Sequence, residues 1–201
     1  MFTGIIESTG IVEKIEREQA NLHFTIASPI SRELKIDQSV SHNGVCLTVV
    51  ALGEGVHTVT AIDETLRRSN LGDWRVGTAV NLERSMRMEG RLDGLIVQGH
   101  VDAAGVCVEV LETGGSWRVT FQYQPTPEHI LVDKGSVCVN GVSLTVVEPR
   151  RDLFSVAIIP YTWAHTNFQH LKPGDRVNLE FDIIGKYIAR YMAIYGGGLP
   201  G

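Results

Sequence analysis

Apolar and polar positions alternate with a period of two along most of this chain. Leu22, Phe24 and Ile26 are spaced by His23 and Thr25, and Trp117, Val119, Phe121 and Tyr123 by Arg118, Thr120 and Gln122. Val80 and Leu82 alternate with Asn81 and Glu83, and Val177 and Leu179 with Asn178 and Glu180. That period is the signature of β-strands. Asn43-Gly44 and Asn140-Gly141 sit between apolar runs, where Asn-Gly is the strongest short-range hairpin signal. Many short antiparallel strands in so small a domain close into a barrel or stack as a sandwich. Pro29 to Leu34 and Pro127 to Leu131 read as equivalent short helices with proline near the first turn. Thr65 to Arg68 reads as a further helical turn. Near the end the period changes: Ile184, Tyr187, Ile188, Tyr191 and Ile194 form a helical stripe, which Gly196, Gly197 and Gly198 end. A helix this short is marginal alone, so the stripe must pack, either on its own domain or between subunits.

The pattern is written twice. Val40 to Val50 (VSHNGVCLTVV) returns as Val137 to Val147 (VCVNGVSLTVV), so that Asn43, Gly44 and Thr48 recur as Asn140, Gly141 and Thr145. Thr3 to Glu7 resembles Gln98 to Asp102, and Ser69-Asn70-Leu71 resembles Thr166-Asn167-Phe168. Val80 to Glu83 resembles Val177 to Glu180. A repeat this long is a whole small domain and not a solenoid unit. The chain therefore divides into domains at about 1–95 and 96–185, with a tail at 186–201.

Composition narrows the function. The chain has 201 residues and a net charge of −5 with no basic run, which disfavours nucleic acid and anionic membrane as partners. No apolar stretch approaches the ~18–20 residues of a membrane span, and Phe2 to Ile6 lacks the leader of a signal peptide. Cys46, Cys107 and Cys138 are odd in number and scattered, as expected of free thiols in the cytoplasm. Phosphate-loop, dinucleotide, nucleophile-elbow and zinc-protease motifs are all missing, and nothing calls for a metal or cofactor.

Candidate chemistry sits where the repeat fails. Cys46 stands where the second copy has Ser143, each two residues past a tight turn. The pair reads either as a packed thiol and a satisfied hydroxyl or as polar tips at a cavity mouth. His100 replaces Ile5 and is suited to acid–base work near neutrality, although a lone histidine is more often structural. Asp182 reads as a helix N-terminal carboxylate or a proton relay. Lys134 reads as a solvated loop residue or a ligand contact.

Taken together, Met1 to Glu7, His42 to Val49, Glu64-Thr65-Leu66, Asn70-Leu71-Gly72, Gly99-His100 and Asn140 to Val146 resemble the riboflavin synthases of the alpha-chain type. The resemblance spans both halves in order. It implies an all-β chain of two homologous six-stranded antiparallel barrels followed by a C-terminal helix that builds a homotrimer. It implies two molecules of 6,7-dimethyl-8-ribityllumazine as substrate, a four-carbon transfer between them, and no cofactor. The active site would lie between one subunit's first barrel and its neighbour's second. One pocket would comprise Gly4, Ile5 and Ile6, Cys46, Leu47 and Thr48, and Thr60, Ala61, Ile62, Asp63, Glu64 and Thr65. The other would comprise Gly99, His100 and Val101, Ser143, Leu144 and Thr145, and Ala157, Ile158, Ile159, Pro160, Tyr161 and Thr162. Lys134 would reach a ligand across the interface. Phe2, Ser39, Cys46, His100, Ser143, Thr145 and Asp182 match positions tied to activity. A lumazine-carrying antenna protein of the same fold is the main alternative, and a flavin-reductase-type or oligonucleotide-binding barrel the weaker one.

Overall fold

The computed structural model describes residues 1–196, so Gly197 and Gly198 lie outside the described residues. Six strands close the first barrel: β1 (Ser8–Glu18), β2 (Asn21–Ala27), β3 (Ser39–His42), β4 (Val45–Leu52), β5 (Val56–Ala61) and β6 (Ala79–Arg84). They neighbour one another in the order β1-β2-β5-β4-β3-β6. The second barrel repeats the plan with β7 (Ala103–Thr113), β8 (Ser116–Gln122), β9 (Ser136–Val139), β10 (Val142–Val147), β11 (Leu153–Ile158) and β12 (Arg176–Phe181). Every pairing is antiparallel. The register of β1 shifts between Val12 and Lys14, and that of β7 between Cys107 and Glu109. Irregularities of this kind bend long strands round a barrel. Asn43 (φ 48°) and Gly44 (φ 81°) make the β3–β4 turn, and Asn140 (φ 47°) and Gly141 (φ 82°) make its sister. Two successive positive φ values are what a two-residue hairpin with the correct twist demands.

Each barrel fills with its own inward residues: Val12, Phe24, Ile26, Leu47 and Val59 in the first, Val119, Phe121, Leu144, Val156 and Leu179 in the second. Short helices cover the strand ends: α1 (Asp63–Arg68) on the first barrel and α2 (Pro160–His165) on the second. A third helix, α3 (Ile183–Tyr195), follows β12. Pro29–Glu33 winds into a 3₁₀ turn through Ser31 N–H to Ser28 C=O (3.0 Å) and Leu34 N–H to Ser31 C=O (3.4 Å). The equivalent helix expected at Pro127 to Leu131 does not form. There only His129 N–H bonds back, to Thr126 C=O at 3.0 Å. The His129 ring lies flat on Phe181 (4.4 Å between centroids, 9°), and that packing takes the place of a second turn.

The segments before each barrel change sides. Phe2 and Val97 pair as an antiparallel bridge, N–H to C=O in both directions at 2.7 and 3.0 Å. From there residues 3–6 run along the second barrel, where Ile6 packs on its core. Residues 98–101 run along the first, where Val101 packs on its core. Only then does each strap enter its own first strand.

Candidate active site

Along β4 the side chains of Leu47 and Val49 enter the core, so Cys46 and Thr48 face outward. The neighbouring strand sets Ser41 opposite Cys46 and Ser39 opposite Thr48, which puts all four on one outer face. Strap 98–101 lies across this face: Cys46 N–H donates to Gly99 C=O at 2.8 Å. Gly99 has a φ of +79°, and a Cβ there would stand 2.6 Å from Cys46 Cβ. Only glycine permits that approach. Together with α1 the strap encloses a cleft of about 330 Å³ lined by Cys46, Glu64, Thr65, Gly99, His100 and Val101, joined by Arg68 and Asp102.

The second barrel builds the same arrangement from the other strap. Ser143 N–H donates to Gly4 C=O at 2.9 Å. Gly4 (φ +77°) leaves 2.6 Å for a Cβ against Ser143 Cβ. Thr145 is exposed beside Ser143, and Leu144 is buried behind them. The grouping that the resemblance implied is therefore crossed. Gly4, Ile5 and Ile6 belong with Ser143 rather than Cys46, and Gly99, His100 and Val101 belong with Cys46 rather than Ser143. The cause is the Phe2–Val97 bridge, which sends each strap to the opposite barrel.

Other anticipated residues fall in distinct places. Ala61 and Ile158 are fully buried, so only their backbone can meet a ligand, whereas Ile62, Ile159 and Tyr161 are more than half exposed. Thr60 bonds His23 through Oγ1 at 2.8 Å. Asp63 begins α1 and pairs with Arg67 at 2.8 Å. Ala157, Pro160 and Thr162 follow the same path at the end of β11 and the start of α2. Phe2 is fully buried between the barrels with Val97 and Cys138, and partly buried Cys46 packs against this cluster. Lys134 is exposed on the bend before β9, in the left-handed region at φ 63°. Asp182 caps α3, its Oδ1 accepting Ile184 N–H at 2.9 Å.

Two buried glutamates hold the straps. Glu83 Oε1 accepts Thr3 N–H and Thr3 Oγ1–H, both at 2.6 Å, and its Oε2 accepts Gly4 N–H at 2.9 Å. Glu180 accepts from Gln98 N–H (2.7 Å), Gly99 N–H (2.9 Å) and His100 N–H (3.0 Å). Burial pushes both carboxyls above the usual range, Glu180 to about 7. Hydrogen bonds to the straps pull in the opposite direction in both cases, and Lys186 adds to that pull on Glu180. Sequence reasoning read these glutamates only as alternating strand positions. The signal was the identical Asn-Leu-Glu of both copies, whose polar members face the other barrel instead of water.

Comparison with known proteins agrees with this architecture. The sequence pattern of the lumazine binding domain matches residues 3–85 and again 98–182. A riboflavin synthase of Mycobacterium tuberculosis is 41% identical, covering 98% of this chain and 100% of its own length. Those of Actinobacillus pleuropneumoniae and Bacillus subtilis are 38% and 37% identical, each over 96% of this chain and 90% of their own. The chain belongs to the riboflavin synthase family. Riboflavin synthases are enzymes, but their fold is shared more widely. The crystal structure of LumP complexed with 6,7-dimethyl-8-(1'-D-ribityl) lumazine superposes with a TM-score of 0.81 at 25% identity, over 90% of this chain and 98% of that one. LumP complexed with riboflavin gives 0.82 at 26%, over 90% of this chain and 99% of that one.

Proposed function

We propose that this member of the riboflavin synthase family carries out that conversion itself. It would take two molecules of 6,7-dimethyl-8-ribityllumazine, move a four-carbon unit from one to the other, and release riboflavin and 5-amino-6-ribitylaminouracil. The observation that carries the reading is the cleft that Cys46 and His100 both line. A thiol and an imidazole lining one small cavity are groups that can activate and deprotonate a bound ring. Ser143 and Thr145 offer hydroxyls at the sister position. In this reading His100 exchanges protons with the ring held at Cys46, Ser143 orients the other ring, and Asp182 relays protons. Phe2 acts from behind Cys46, and Ser39 extends the polar wall. Holding two rings together can supply ~7–11 kcal/mol, more than the 10²–10⁴-fold typical of one acid–base group. No metal or cofactor is assigned a role.

Substrate would approach the backbone of Thr60 to Thr65 in one barrel and of Ala157 to Thr162 in the other, with Lys134 reaching in from a neighbouring subunit. We also propose a homotrimer assembled through α3, with each reaction centre shared between two chains. The exposed apolar face of α3 supports this. Among the described residues no helix is long and apolar enough to cross a membrane. The free thiols Cys46, Cys107 and Cys138 suit a cytoplasmic enzyme.

Incubation of the purified protein with the lumazine, followed by chromatography for riboflavin, tests the reading. Turnover is expected, with Cys46→Ala and His100→Ala each slowing it by about 10²-fold or more. Tight lumazine binding without product would make the chain a carrier of the LumP kind, the one alternative with a specific structural likeness behind it.

A further inference from the structure

His100 is exposed, and among the described hydrogen bonds its ring has no partner. Its position comes from its backbone. The strap that carries it is held at two points: Gly99 C=O receives Cys46 N–H, and the N–H groups of Gln98, Gly99 and His100 converge on the carboxylate of Glu180. Glu180 lies on β12, is 3% exposed and is not itself among the residues that line the cleft. Its own frame is rigid, since β12 pairs with β9 through Glu180 opposite Cys138. A further anchor follows at once on the strap. Asp102 accepts Phe181 N–H at 2.9 Å and the Lys186 ammonium of α3 at 2.6 Å.

From this geometry we propose that Glu180 is a positioning residue for the reaction, fixing the strap so that His100 lines the same cleft as Cys46. The inference rests on the catalytic reading above. A carboxylate is the one side chain that offers two oxygens, each able to accept more than one N–H, to three amides that point the same way. Glutamine has the same shape but a single oxygen, and its NH₂ would face an N–H with nothing to accept it. Loss of that grip frees Gly99 and His100 from β12, and misplacement by about 1 Å is enough to cost about 10²-fold in rate.

The test is Glu180→Gln, alone and combined with His100→Ala. Amide hydrogen exchange supplies a readout that needs no turnover: protection of the Gly99, His100 and Cys46 N–H groups should fall while the strands of both barrels stay protected. For turnover, Glu180→Gln should lower kcat by about 10²-fold with little change in KM. In the His100→Ala background the same change should cost less than about threefold, because a group acting through His100 has nothing left to position. An equal loss in both backgrounds, or undiminished protection of the strap, overturns the proposal. Should Glu180→Gln fail to fold, Glu180→Asp keeps the charge on a shorter arm and should show smaller losses in the same readouts. A wild-type protein that makes no riboflavin overturns the catalytic reading, and the exchange experiment then judges the strap by itself.

Discussion

The first barrel keeps imidazoles where the second keeps hydrocarbon. His42 and His57 lie inside it, fully buried, their Nε2 atoms 2.8 Å apart. His57 Nδ1 continues to Ser31 Oγ at 2.8 Å and His42 Nδ1 to Val40 C=O at 3.0 Å. The matching places in the second copy are Val139 and Phe154, both buried. With both rings neutral, His42 Nδ1–H donates to Val40 C=O and His57 Nε2–H donates to His42, so the chain is satisfied without charge, whereas two charged rings would set N–H against N–H. Burial pulls His42 from its ordinary 6.5 to about 3, with His57 as a second cause, and pulls His57 to about 4. In the unfolded chain both rings take up protons near 6.5. Their contribution to stability is therefore complete above that pH and is lost as the pH falls towards 4 and then 3. At pH 5 each should have cost the folded state roughly 2 kcal/mol. Glu83 and Glu180 act with the opposite sign: their raised values favour the folded state as the pH falls. The histidine share is thus isolated by difference. His42→Val with His57→Phe, the residues of the second barrel, should flatten the decline in melting temperature between pH 6.5 and 4 relative to wild type. A decline of unchanged slope would assign acid sensitivity to other groups.

At the level of elements, strands and turns were legible because their signals are local. Period-two alternation marked β2, β6, β8 and β12, and the two Asn-Gly pairs marked the hairpins beside Cys46 and Ser143. The exchange of straps was not legible. Thr3 to Ile6 and Gln98 to Val101 would have the same sequence whether each capped its own barrel or the other, since the choice is made by long-range contacts: the Phe2–Val97 bridge, the two buried glutamates and the Gly4–Ser143 and Gly99–Cys46 bonds. The apolar stripe near the C-terminus was read correctly as a helix, but what it packs on was left open. In the single chain Ile184, Tyr187, Ile188, Tyr191 and Ile194 are all more than half exposed. Five large apolar side chains on one face of a 13-residue helix support the proposed trimer through α3. Tyr187→Glu with Tyr191→Glu would bury unpaired charge in the proposed interface, at a cost of roughly 3–5 kcal/mol, which is a 10²-fold or larger loss of association. Sedimentation velocity should then show a monomer in place of a trimer. Riboflavin formation should fall with it, while far-UV circular dichroism keeps its β-sheet character. Trimers that survive both charges would remove α3 from the interface.

For the whole molecule the question is what makes two barrels one body. Six asparagines do much of it, three from each copy. Asn43 and Asn140 accept the N–H groups of Asn81 and Asn178 at 2.7 and 2.8 Å within their own barrels. Asn81 Nδ2 then crosses to Asn140 C=O and Asn178 Nδ2 to Asn43 C=O, both at 2.9 Å. Asn167 N–H crosses to Asn81 Oδ1 and Asn70 N–H to Asn178 Oδ1, both at 2.7 Å. Gly44 and Gly141 meet at the centre, where a Cβ on either would come within 3 Å of the other's backbone nitrogen. All six asparagines were visible in the repeat as matched pairs. Their role was hidden because each pair makes its cross-bonds with the opposite copy, and a comparison of halves shows likeness, not contact. Cutting Asn81 and Asn178 back to alanine removes both cross-links and leaves the N–H groups of Asn70 and Asn167 without acceptors, at about 1–3 kcal/mol for each orphaned group. The two losses share one network, so their sum should not be additive. More telling is the shape of unfolding in urea. The wild-type chain should lose both barrels in one transition, followed by tryptophan fluorescence, with Trp74 reporting the first barrel and Trp117 and Trp163 the second. The doubly substituted chain should separate into two. A single transition in that variant would mean that the straps, the Phe2–Val97 bridge and the remaining side-chain bonds of Asn70 to Arg176 C=O and of Asn167 to Asn43 hold the barrels together without Asn81 and Asn178.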